Sequence, residues 1–149
     1  MELTYDEVIV YNNGDVFKGT VGNSQRLYGL MTYVNGDTFF GKYFNNHRRI
    51  GKMTYTNGET FEGEFINSRR RYGKFTYHNG DTFEGVFVNS RREYGILNYV
   101  NGDRYEGRYK NSKKCGKTRN VNRITKKYWY CHDDRFTNGL YQQCTVTNK

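Results

Sequence analysis

Gly51-Lys52-Met53-Thr54-Tyr55-Thr56-Asn57-Gly58-Glu59-Thr60-Phe61-Glu62-Gly63-Glu64-Phe65 reads as a β-hairpin. Asn-Gly between two runs of β-forming residues is a strong hairpin signal. Side chains alternate between faces along a strand, so loop length decides which residues share a face. A two-residue Asn57-Gly58 turn puts Tyr55 and Phe61 on opposite faces. A three-residue loop, Thr56-Asn57-Gly58, pairs Tyr55 with Glu59, Met53 with Phe61 and Gly51 with Gly63. One face then holds Gly51, Met53, Tyr55, Phe61, Gly63 and Phe65, and the other Lys52, Thr54, Thr60, Glu62 and Glu64. This clean division predicts the three-residue loop, with Gly58 left-handed in a G1 bulge.

The same stretch recurs along the chain. Gly14, Gly36, Gly58, Gly80 and Gly102 are 22 residues apart, and so are Gly19, Gly41, Gly63, Gly85 and Gly107. A third series, Gly29, Gly51, Gly73 and Gly95, slips by one residue to Gly116. Aromatic columns keep the beat, as in Tyr11, Tyr33, Tyr55, Tyr77 and Tyr99, or Phe17, Phe39, Phe61, Phe83 and Tyr105. Five hairpins are expected near 7–21, 29–43, 51–65, 73–87 and 95–109. In series they make an elongated all-β antiparallel meander, a β-hairpin repeat solenoid whose ends need caps. Residues 1–117 are read as the repeat domain and 118–149 as a basic C-terminal segment. In the latter, Lys127–Cys131 and Leu140–Val146 look like the strands of a β-hairpin cap.

Composition agrees with this class. Of 149 residues only 35% are hydrophobic, yet there are 15 Tyr, 10 Phe and 17 Gly, and no Pro. Aromatic rings each bury a large area and replace the usual aliphatic core. Scarce helix formers argue against a helical bundle, and abundant aromatics argue against disorder. No apolar run approaches the roughly 18 residues of a membrane span. The acidic start, Met1 to Glu7, does not read as a signal peptide, and the three cysteines are odd in number. Reduced thiols in an intracellular compartment are expected. Formal net charge is +9, with 15 basic and 13 acidic side chains up to residue 111 and 9 against 2 beyond it.

Tyr77-His78-Asn79-Gly80-Asp81-Thr82-Phe83-Glu84-Gly85-Val86-Phe87 resembles the MORN (membrane occupation and recognition nexus) repeat. The resemblance runs over about residues 7–117 in five copies. Two departures stand out. Asn67-Ser68 or Asn89-Ser90 replaces the family's Asn-Gly after the second strand, and Met53, Phe75 or Leu97 replaces a second Gly at the next strand start. The loop from Asn67 to Gly73 also looks one residue longer than is usual in the family. The resemblance implies a non-catalytic repeat that binds protein partners or scaffolds assemblies. Phosphoinositide binding has been proposed for some members.

Three surfaces are candidates. Tyr33, Phe39, Tyr43, Tyr55, Phe61, Phe65, Tyr77, Phe83, Phe87, Tyr99, Tyr105 and Tyr109 should line one side of the sheet. They read either as structural core or as a groove for a partner's peptide or helix, because one sheet has no second layer and uncovered apolar patches mark partner sites. The loops between hairpins are expected to carry a basic ridge of Arg48, Arg49, Arg69, Arg70, Arg71, Arg91, Arg92, Lys113 and Lys114. It reads as a solvated edge or as a surface for an acidic partner. The tips carry Asp15, Asp37, Glu59, Asp81 and Asp103, ordinary turn chemistry after Asn-Gly. The basic tail followed by Tyr128-Trp129-Tyr130 can cap the sheet, or meet nucleic acid or a membrane surface. Cys115, Cys131, His132 and Cys144 have no C-x-x-C spacing, so no metal or cofactor is expected. The sequence thus points to a non-enzymatic protein-interaction or scaffold component. The alternative is a binder of anionic surfaces, acidic lipid headgroups ahead of nucleic acid.

Overall fold

The computed structural model describes residues 5–110, 113–121, 127–131 and 145–148. Among them every element is a strand and there is no helix. The chain divides into two compact units, 1–78 and 79–149. The first contains β1 (Tyr5–Val10), β2 (Val16–Gly22), β3 (Gln25–Thr32), β4 (Thr38–Phe44), β5 (His47–Thr54), β6 (Thr60–Ile66) and β7 (Arg69–Thr76). Each pairs antiparallel with the next. The second contains β8 (Thr82–Val88), β9 (Arg91–Asn98), β10 (Arg104–Lys110), β11 (Lys113–Val121), β12 (Lys127–Cys131) and β13 (Thr145–Asn148), again in sequential antiparallel order. The expected hairpin at 73–87 contributes β7 to the first unit and β8 to the second. The expected strand at Lys127–Cys131 is β12, whereas residues 140–144 of the other capping strand lie outside the described residues.

The tips are built as the alternation of side chains requires. Met53 lies opposite Phe61 and Gly51 opposite Gly63. Gly58 N donates to Tyr55 O and Tyr55 N to Glu59 O, both at 2.9 Å, which closes a three-residue loop. Gly58 has φ +88° and Gly36 +96°, left-handed values that suit residues without a Cβ. Each tip also bonds to the next. Asn35 Oδ1 accepts from Asp37 N, and Asp37 Oδ1 accepts from Thr56 N in the following tip. Asp15 with Val34 and Glu59 with His78 repeat this link in the first unit. The acidic tip residues therefore satisfy backbone donors that a bare loop leaves open.

The opposite connections differ from expectation. Asn45-Asn46 and Asn67-Ser68 are two-residue turns with φ of 49° and 62° and of 48° and 63°. Positive φ at both central residues is the type I′ pattern, which matches the twist of flanking strands. The strands therefore begin earlier than the sequence predicts. Arg48, Arg49, Arg69, Arg70 and Arg71 stand on β5 and β7, and Arg91 and Arg92 on β9, so none of the seven lies in a loop. The extra residue of this connection forms a β-bulge. Lys42 pairs with Ile50 and Tyr43 with Arg48, which leaves Arg49 as the extra residue. Arg71 and Glu93 are the equivalents on β7 and β9. One inserted residue reverses the alternation of faces. It turns Arg48 toward the side of Tyr43 and Gly51.

That inner side is the core. Phe17, Phe39 and Phe61 are each 0% exposed. Phe39 lies over Gly51, where an added Cβ would sit 2.7 Å from the ring's Cζ. Edge-to-face contacts link Phe17, Tyr43, Phe39, Phe65 and Phe61 in one row, with centroids 5.6, 5.4, 5.3 and 5.2 Å apart. In the second unit Phe87, Phe83, Tyr109 and Tyr105 form the same row at 5.4, 5.3 and 5.3 Å. Such ring pairs add about 0.5–1.5 kcal/mol each beyond burial.

The tip geometry makes a specific prediction. The space around a Cβ at Gly58 is nearly open, the nearest atom being His78 Nδ1 at 4.0 Å. Any penalty at Gly58 is thus conformational, not steric. Gly58→Val should cost about 1–3 kcal/mol in chemical denaturation, and Gly58→Asn distinctly less, since Asn tolerates the left-handed region. Equal losses for the two would contradict a left-handed requirement.

Candidate functional site

The inner face is not an open groove, because its own side chains close it. Arg48 starts from the turn end of β5, and Tyr33 from the neighbouring tip at the other end of the strands. Their side chains meet above the rings, where Arg48 Nη1 donates to Tyr33 OH at 3.0 Å. Arg48 Nη2 donates to Ser68 O at 2.6 Å, which ties the guanidinium to the next turn. Its Cζ lies 5.8 Å from the centroid of Phe39 and 5.3 Å from that of Phe65. Arg26 repeats the arrangement with Tyr11 OH at 3.4 Å, Asn46 O at 2.6 Å and the Tyr43 ring at 4.9 Å. Arg70 does so with Tyr55 OH at 2.8 Å and the Phe75 ring at 5.2 Å. In the second unit Arg92 lies 4.4 Å from the Tyr109 centroid. Lys114 bonds Tyr99 OH and lies 4.5 Å from the Tyr105 ring.

In the first unit Arg26, Arg48 and Arg70 each combine a ring contact, a charged hydrogen bond and an apolar stem. Cation–π attraction is worth about 0.5–2 kcal/mol, more where the cation is desolvated. Hydrogen bonds from a charged donor are roughly twice as strong as neutral ones. The aliphatic stem of each arginine adds apolar cover. Tyr43 illustrates the environment. Burial raises its hydroxyl pKa above the ordinary tyrosine value and Tyr33 adds to the rise, while Arg26 and Arg48 act in the opposite direction. Burial prevails, so the ring stays neutral into alkaline solution. Among the described residues its hydroxyl has no hydrogen-bond partner.

The sequence-predicted residues therefore separate into groups. Phe39, Tyr43, Phe61 and Phe65 are buried in the first unit, and Phe83, Phe87, Tyr105 and Tyr109 in the second. Tyr33, Tyr55, Tyr77 and Tyr99 are half-buried at the rim. The expected ridge divides by bulge phase. Arg48, Arg70, Arg92 and Lys114 turn onto the aromatic face, whereas Arg49, Arg69, Arg71 and Arg91 are exposed. The side chain of Lys113 lies outside the described residues. A signal for this division was present in the sequence. Arg26, Arg48, Arg70, Arg92 and Lys114 form an unbroken cationic column 22 residues apart. The columns on either side mix types: Gln25, His47, Arg69 and Arg91, and Leu27, Arg49, Arg71 and Glu93.

The outer face offers what the inner face withholds. Across the first unit, Tyr28, Lys42, Ile50, Glu64 and Tyr72 stand side by side on β3 to β7 in one row. Tyr28, Ile50 and Tyr72 are 43%, 45% and 48% exposed, and Phe44 and Ile66 toward the turns are 67% and 51% exposed. A single exposed apolar residue is ordinary, but here apolar side chains recur on every second strand, with the exposed charges of Lys42 and Glu64 between them, so the row is a mixed apolar and charged surface. Among the described residues there is no group of three His, Cys, Asp or Glu side chains placed to hold a metal ion. No helix among them is long and apolar enough to cross a membrane. No protein-family model matches the chain, and no curated protein matches it.

The neighbouring arginines test the division directly. Arg48→Met should cost about 2–3 kcal/mol, because it removes charged hydrogen bonds to Tyr33 and Ser68 and the cation over the rings. Arg49→Met, on the exposed bulge, should change stability by no more than about 0.5 kcal/mol. Equal effects in thermal or urea unfolding would mean that Arg48 is only a surface charge.

Proposed function

We propose that this chain is a non-catalytic protein-interaction module of the MORN type, a scaffold or assembly component, which meets its partner through the outer face of its hairpins. The observation that carries this reading is the exposed row of Tyr28, Ile50 and Tyr72. These residues recur every 22 positions, so the repeat itself places them in solvent. The groove reading of the inner face keeps only its rim, Tyr33, Tyr55, Tyr77 and Tyr99, since the rings between are sealed. In the first unit several charged side chains are occupied in holding the repeat, which supports a non-catalytic reading. The tip carboxylates Asp15, Asp37 and Glu59 cap backbone N–H groups, and Arg26, Arg48 and Arg70 roof the core. An intracellular setting fits an odd number of cysteines.

A second reading has its own observation. Arg49, Arg69 and Arg71 are exposed at the turn end of the first unit, where they can meet an anionic surface such as acidic lipid headgroups. Affinity capture from the cells that make the protein separates the two. Tyr72→Asp should lose the captured protein while circular dichroism stays β-rich, and Arg49→Glu with Arg71→Glu should alter chiefly the association rate. Binding that ignores Tyr72→Asp but collapses with Arg49→Glu and Arg71→Glu, and falls steeply with salt, supports the anionic-surface reading instead.

A further inference from the structure

The row on the outer face of the first unit has an internal symmetry. Read from β3 to β7 it is Tyr28, Lys42, Ile50, Glu64, Tyr72. About Ile50 the residue types mirror each other, except that Lys42 on one side answers Glu64 on the other. We propose that this face docks on the same face of a second copy of this chain, around a two-fold axis running along β5 between the two sheets. The proposal rests on the outer-face reading above and names the partner.

The geometry of such a pair follows from the strand positions. A two-fold along β5 lays β4 over the second copy's β6, and β3 over its β7. Lys42 then faces Glu64 of the other copy, and Glu64 faces Lys42, so one symmetric contact forms two ion pairs. Ile50 meets itself on the axis, and Tyr28 meets Tyr72. In the next row toward the turns, Phe44 on β4 meets Ile66 on β6, both more than half exposed in the single chain. Sheets packed face to face lie about 10 Å apart, which side chains of this size fill.

Charge complementarity decides the occupant. Lys42 and Glu64 are both exposed, and neither has an ion pair within the described residues. They lie two strands apart, too far to neutralise each other across Ile50. A second copy supplies the missing opposite charge to both with one operation, whereas an unrelated partner needs a matching pattern of its own. The row toward the tips limits the contact. There Lys52 on β5 would meet Lys52 of the other copy. The repulsion between the two Lys52 side chains confines the contact to the central row and the row nearer the turns. A contact of so few side chains is far smaller than the roughly 20–30 residues a side of a stable interface, so the pair is a weak, reversible one.

Sedimentation of the full chain over a concentration series tests this, with circular dichroism confirming that every variant is folded. The wild type should self-associate reversibly, and more tightly at low salt. Lys42→Glu and Glu64→Lys should each weaken association by at least about tenfold, because each sets like charges face to face. The decisive arm is an equimolar mixture of the two variants. It should recover wild-type association as a mixed dimer, since each introduced charge then faces an opposite charge on the other chain. A wild type that stays monomeric, single variants that associate normally, or a mixture that fails to recover would each overturn the proposal. A monomeric wild type whose captured protein is still lost with Tyr72→Asp would give the face to a different protein. Capture that survives Tyr72→Asp would remove the outer-face reading itself.

Discussion

One layer of β-sheet with an apolar face has nothing behind it to exclude water from that face. The chain meets this constraint with a bridge. In each repeat of the first unit an arginine from the turn end and a tyrosine from the tip end reach toward each other and join over an aromatic ring, Tyr43 for Arg26 and phenylalanines for Arg48 and Arg70. Beneath the phenylalanine lies a glycine backbone, as Phe39 lies over Gly51. The ring is thus enclosed by glycine below, other rings at its edges and a hydrogen-bonded cation above. That arrangement explains how Phe39 and Phe61 reach 0% exposure without a second sheet.

The bridge depends on a single inserted residue. Without the bulge at Arg49, strict alternation would point Arg48 to the outer face, away from Tyr33. The tight Asn45-Asn46 turn contributes as well, because the carbonyl of Asn46 accepts from Arg26. The tips serve the same end from the other side. Asp37 holds the following tip by its backbone, which fixes where Tyr55 starts. Charged residues that look like solvated decoration are therefore the fasteners of the core. Among the exposed residues of the first unit are the outer row and the bulge arginines Arg49 and Arg71.

Much of this was legible in the sequence. Parity alone placed Met53 opposite Phe61 and required a left-handed Gly58, because an apolar/polar alternation of period two tolerates no slip. Register at the turn end was not legible in the same way. A bulge shifts the phase by one residue without leaving a breaker such as Gly or Pro, so Arg48 and Arg49 looked equivalent. The 22-residue cationic column was the available clue. Periodicity showed that Phe39, Phe61 and Phe83 are equivalent, but not whether their face is covered. Coverage depends on how far long side chains reach, which strand pattern does not encode. Tyr28, Ile50 and Tyr72 do not emerge as a surface from the sequence, because the repeat pattern starts the strands at Gly29, Gly51 and Gly73, one residue too late to include them.

The first unit is sealed on its inner face and carries an exposed row of mixed apolar and charged side chains on its outer face, the surface on which the proposed binding role rests. That view stands or falls with the bridge, since an unsealed inner face would compete with the outer row for partners. The most direct measurement is a double-mutant cycle between Arg48→Met and Tyr33→Phe in urea unfolding. If the two side chains close the core together, the double variant should lose about 1–2 kcal/mol less than the sum of the single losses. Additivity within about 0.3 kcal/mol would show that the contact carries no energy, and that something other than the arginine–tyrosine bridge keeps water from the rings.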